Sequence, residues 1–198
     1  MIFAILSFIT AGIAGGYYFL NLGDKTLLDT VLMSALSFMV LVAGIEIGGN
    51  RHLLKKFCNP QNILLAVSIP LAIMLGSLLG AAASASLTGL SVQDSLLIGA
   101  GLGWYSLSSV VISTMYSVEI GTISFLANML RETMAFVLIP LLVKWNKLLV
   151  IAPAGAATMD SGLPMIIKYT NIHMGMYAFL NGLILTLLIP FLLPIFLP

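Results

Sequence analysis

Charge is scarce in this chain. Eight basic and seven acidic side chains are spread through 198 residues, leaving a net charge of +1. That gives no electrostatic footprint for nucleic acid. Cys58 is the only cysteine, so no intrachain disulfide can form, and His52 and His173 both fall at predicted helix ends. No Cys/His cluster has metal-ligand spacing, and no Ser/His/Asp or Cys/His set has the pattern of a nucleophilic enzyme. Neither metal nor organic cofactor is expected, and the chain is not read as an enzyme. Gly101-Leu102-Gly103 does not sit in the strand-to-helix fingerprint of a nucleotide loop.

What the chain has in abundance is apolar surface. Sixty per cent of its residues are hydrophobic and 8% are charged, more than a soluble domain of this size hides but what lipid accepts on all sides. The apolar stretches are continuous rather than alternating, which excludes a β-barrel. The expected fold is an all-α integral membrane protein, one transport domain over residues 1–198. A span needs roughly 20 residues for about 30 Å of hydrocarbon, and five stretches qualify: 2–20, 29–48, 62–87, 121–143 and 173–197. The first lacks a basic leader, and its Gly12, Gly15 and Gly16 run straight into Tyr17 and Tyr18. It is therefore read as a retained helix, not a cleaved signal.

Two further apolar stretches read differently. Residues 95–116 contain Gly99, Gly101 and Gly103, and residues 150–170 contain Pro153, Gly155, Asp160, Gly162 and Pro164. Irregular backbone survives at membrane depth only where protein or a water-filled cavity covers it. If both stretches crossed fully, the basic residues outside the spans would show no sidedness. If both are re-entrant, Arg51, Lys55, Lys56, Lys144, Lys147 and Lys168 lie inside and only Lys25 outside, six against one, as the positive-inside rule requires. The sequence thus predicts about five transmembrane helices plus two oppositely oriented re-entrant hairpins whose tips meet near the bilayer centre. The N-terminus is cytoplasmic and the C-terminus outside. Each hairpin with its following helix forms one unit of an inverted-repeat transporter.

Within this frame two carboxylates stand out, Glu132 and Asp160. An ionised group at mid-membrane costs at least a few kcal/mol, so it marks a substrate or ion path by default. Helical spacing puts Asn128, Arg131 and Glu132 on one side of their helix, with the adjacent Arg131 and Glu132 about 100° apart. Glu132 reads as a cation- or proton-binding group, or as the neutralising partner of an Arg131 bonded to hairpin carbonyls. Asp160, flanked by Thr158 and Ser161, reads as an ammonium ligand at a hairpin tip, or together with Ser161 as an N-cap for the next half-helix. Trp104, Tyr105, Ser106 and Ser108 read as a half-helix start offering N–H groups and hydroxyls to a substrate carboxylate, or as tight packing by small residues. Ser109 could add another hydroxyl. Glu46 reads as a peripheral charge beside Arg51 and Lys55. Trp145, Tyr169 and Tyr177 read as an interfacial belt.

Taken together, Gly103-Trp104-Tyr105-Ser106-Leu107-Ser108, Leu130-Arg131-Glu132 followed by Leu138-Ile139-Pro140, and Gly155-Ala156 with Met159-Asp160 and Leu163-Pro164 resemble the lysine exporter (LysO) family. The resemblance covers the C-terminal two-thirds of its longer members. It implies export of L-lysine or a related cationic amino acid across the inner membrane, with a proton, or sodium in its place, as the coupling ion. It puts Glu132 and Asp160 on the family's intramembrane acidic positions. It also implies either a short three-helix membrane partner that supplies the missing helices or a homodimer. The rival classes are an ion/proton antiporter or channel of similar architecture and a non-transporting membrane subunit.

Overall fold

The computed structural model describes residues 59–198, and before them the helical positions 7, 10–12, 14–17, 30, 34, 38, 41, 42, 45, 48 and 49. The predicted spans 2–20 and 29–48 therefore lie largely outside the described residues, and Glu46, Arg51, His52, Lys55 and Cys58 wholly so.

Helix α1, Pro60–Thr88, starts where Asn59 accepts from the Gln61 amide and Pro60 takes a position whose N–H would be unpaired in any case. It stops at Gly89, whose left-handed backbone (φ 75°) returns an N–H to Ala85. Two short helices follow, α2 at Val92–Gly99 and α3 at Tyr105–Met115. Helix α4, Val118–Leu142, is capped by Ser117. Two 3₁₀ turns, Leu149–Ile151 and Gly155–Met159, lead into the short α5, Leu163–Tyr169. Helix α6, Ile172–Phe196, begins at Asn171, which accepts from the Met174 amide. Among the described residues the fold is all-helical, and α1, α4 and α6 are long and apolar enough to cross a membrane.

Contacts fix the directions. The Tyr177 hydroxyl donates to Asn62, and the Gln93 amide donates to the Phe196 carbonyl, so α1 and α6 run the same way. Helix α4 runs against them. Its Ile139 packs with Ala66, Val150, Ile166 and Tyr177 in one core, while its Ile120 packs with Leu97, Ile112 and Leu193 in another. Both ends of the α2–α3 segment lie at the Thr88 end. There the Asp94 carboxylate at one mouth interacts with Tyr116 at the other and raises its phenol above the ordinary tyrosine value. The buried apolar residues of 149–169, Ala156 excepted, belong to the core at the opposite, Pro60 end. At 1.5 Å per residue α2 and α3 reach only about 12 and 16 Å, near half a bilayer.

The turns of the two short segments touch. The Ala156 amide donates to the Leu102 carbonyl at 2.9 Å, and Gly103 and Gly155 both take positive φ (98° and 57°). A Cβ on Gly155 would stand 2.2 Å from the Leu102 oxygen, so the approach is backbone to backbone. The helices that follow each segment match. At equal distances from the caps Ser117 and Asn171 lie Gly121 and Gly175, Glu132 and Thr186, and Pro140 and Pro194. One sequence expectation is corrected: Tyr177 is no interfacial belt residue, but is 2% exposed in the core with its hydroxyl on Asn62. Its polar tip finds a partner inside, which removes the need for an aqueous interface.

Candidate functional site

Helix α4 carries three polar side chains in two turns, and each does something different. Asn128 is buried. It accepts from the Gly103 amide at 2.8 Å and donates to the Ile98 and Ser124 carbonyls at 3.0 Å, holding the α2–α3 turn. Arg131 reaches to the other segment, with Nε donating to Pro153 O at 2.9 Å and Nη2 to Ala152 O at 3.3 Å. Its Nη1 donates to Ser77 Oγ, which donates onward to Gly99 O. One guanidinium thus ties α1, α4 and both interrupted segments, reaching the second directly and the first through Ser77. Glu132, displaced about 100° around the helix, faces a different space and accepts a hydrogen bond from the Ser161 hydroxyl.

That space is a cavity of about 290 Å³. Trp104, Tyr105 and Ser106 line it from the start of α3, Glu132 from α4, Asp160 and Ser161 from the second segment. Asp160 Oδ1 accepts from the Ser161 amide at 2.6 Å. The N-terminus of α3 has no side-chain cap, so its free N–H groups and partial positive charge face the cavity opposite two carboxylates. Tyr105 is braced edge-on against Phe125, with ring centroids 5.3 Å apart.

Of the residues singled out by sequence, six share this cavity: Trp104, Tyr105, Ser106, Glu132, Asp160 and Ser161. Ser109, offered as a further hydroxyl, does not line it, and the other four lie behind it. Ser108 donates to Trp104 O, Thr158 donates to Gly155 O and is fully buried, and Asn128 and Arg131 hold backbone as described. The cap of α5 is Gly162 and no side chain caps it, so Asp160 and Ser161 do not serve as its N-cap. Ser161 directs its donors to carboxylates instead. Sequence reasoning missed Thr186 and Met159, which line the cavity together, and Asn181, which donates to Gly155 O and Thr158 Oγ1 at 3.0 Å. The signal was present: Thr186 and Asn181 are isolated polar residues in the apolar run of α6, and Thr186 occupies the place that Glu132 has in α4.

A family model described as Lysine exporter LysO matches residues 6–197. The lysine exporter LysO of Escherichia coli (strain K12) is 30% identical over 162 residues, which are 81% of this chain and 53% of that protein. The putative lysine exporter of Haemophilus influenzae is 31% identical over 159 residues, 80% of each chain. The chain thus spans about half the length of the first relative and four-fifths of the second. No solved structure matches.

Proposed function

The chain belongs to the lysine exporter LysO family, a multi-pass membrane family, and from that premise we propose that it is a secondary active exporter of L-lysine or a related cationic amino acid. One observation carries the reading: two carboxylates and an uncapped helix N-terminus converge on a single cavity of about 290 Å³. A cationic amino acid is two ammonium groups and a carboxylate. The acids meet the ammonium groups, and the α3 N-terminus meets the carboxylate.

Glu132 and Asp160 are proposed as the groups that bind substrate and the coupling proton in turn, a proton moving inward as the amino acid moves out. Tyr105 and Ser106 complete the contacts to the substrate, Ser161 orients the two acids, and Asn128, Arg131, Ser108 and Thr158 fix the backbone that presents them. The segments 92–115 and 149–169 are proposed as re-entrant hairpins of opposite orientation, in an inverted-repeat arrangement with about five spanning helices. Supporting this are their half-bilayer lengths, their separate cores at opposite ends of the bundle and their touching turns. Lys144, Lys147 and Lys168 then lie on the cytoplasmic side of the inner membrane, with the N-terminus cytoplasmic and the C-terminus outside. A short three-helix membrane partner is proposed to supply what the longer relative has in one chain, or a second copy of this chain serves instead.

Glu132→Gln and Asp160→Asn should each insert at normal levels and abolish efflux from lysine-loaded cells, a loss of at least about a hundredfold for a charge that the transported cation must contact. Normal export by either variant would overturn the assignment. If both changed only protein stability, the chain would be a non-transporting subunit.

A further inference from the structure

Glu132 and Asp160 sit on different elements, and Ser161 joins them. Its hydroxyl donates to Glu132 Oε1, its amide donates to Asp160 Oδ1, and the same hydroxyl also interacts with the Asp160 carboxylate. A serine hydroxyl has one proton to donate and lone pairs that accept. Among the described residues Ser161 is the one donor recorded for Glu132, and Asp160 has Ser161 and its own backbone amide. The other groups facing the pair are few. Tyr105 is the one further titratable side chain on the cavity wall, Thr186 from α6 is neutral and donates to Met159, and the guanidinium of Arg131 is turned to the carbonyls of Ala152 and Pro153.

We propose that Ser161 is a positioning residue that couples the two acids, because its single hydroxyl proton serves Glu132 or Asp160 but never both. While Glu132 is ionised it takes the hydroxyl, and Asp160 keeps only backbone amides and is the freer carboxylate for an ammonium group. When Glu132 gains a proton from the aqueous phase, its own O–H donates to Ser161 Oγ, and the serine proton swings to Asp160. The hydroxyl then competes with the ammonium group there and favours its release. A proton on one acid is thereby converted into loss of cation from the other, with no proton leaving Ser161 itself. This rests on the proposed cation-carrying role of the cavity.

The test uses the full chain in proteoliposomes with Ser161→Ala and Ser161→Thr, scoring lysine–lysine exchange and pH-gradient-driven accumulation separately. Ser161→Ala should keep exchange within about threefold of wild type but lower accumulation by about tenfold or more, the effect of losing one hydrogen bond to a charged group. Ser161→Thr should restore accumulation. The protonated-carboxyl infrared bands, assigned through Glu132→Gln and Asp160→Asn, should both shift in Ser161→Ala. Equal loss of both transport modes, or loss of neither, would overturn the inference. If wild type exchanged no lysine, the proposed function would fall and the infrared arm alone would decide: a shift in both bands supports the shared hydroxyl, and a shift in one or neither rejects it.

Discussion

Gly155 shows how much of this molecule depends on a missing side chain. It combines positive φ with a Cβ position 2.2 Å from the Leu102 oxygen, so any L side chain meets both backbone strain and a clash that no rotamer relieves. Gly155→Ala should lower stability by about 1–3 kcal/mol, read as the midpoint of thermal unfolding in detergent. Asn128→Ala leaves the Gly103 amide without its buried acceptor, and about 1–3 kcal/mol is again expected. Neither Gly155 nor Asn128 lines the cavity, so substrate affinity in the surviving fraction should move less than stability does. The acids were legible in the sequence because charge in an apolar run has few bland explanations. Thr186 and Asn181 were not, because neutral polar residues are ordinary glue between membrane helices. What sets Thr186 apart is its position relative to Asn171, which the pairing of α4 with α6 reveals, and what sets Asn181 apart is its bond to Gly155 O.

Among elements, the hydropathy stretches at 62–87, 121–143 and 173–197 correspond to α1, α4 and α6, with ends moved by a few residues to Asn59, Ser117 and Asn171, where caps rather than hydropathy set the start. The glycine- and proline-dense stretches do interrupt the helices. What the sequence did not reveal is that the lead-in to Asp160 is built of 3₁₀ turns. Pro153 has no N–H to give, and the carbonyls of Ala152 and Pro153 are satisfied by Arg131, far away in sequence; local propensity does not report such a partner. The proposed re-entrant topology makes a direct prediction at this scale. In a chain whose Cys58 is replaced by serine, cysteines at Ser117 and Lys147 should label from opposite faces of the membrane, Ser117 from outside and Lys147 from the cytoplasm. Full crossing of both segments would reverse both results.

At the scale of the whole molecule, two apolar cores lie at opposite ends of the bundle, the long helices α1, α4 and α6 run through both, and the second segment passes from one to the other between Ala156 and Ala157. The proposed export calls for alternating access, in which one repeat moves against the other. A carrier of this kind should show counterflow: unlabelled lysine trapped inside proteoliposomes should accelerate entry of labelled lysine. A channel of similar architecture would show no trans-acceleration.

The single bond from the Ala156 amide to the Leu102 carbonyl has an electrical consequence. In the proposed re-entrant topology the two hairpin tips meet at this contact, so an unbalanced charge carried from one face to the other passes it and gains or loses about 2.3 kcal/mol for each 100 mV. Current–voltage curves should therefore be steep for any variant whose cargo and counter-ion no longer cancel.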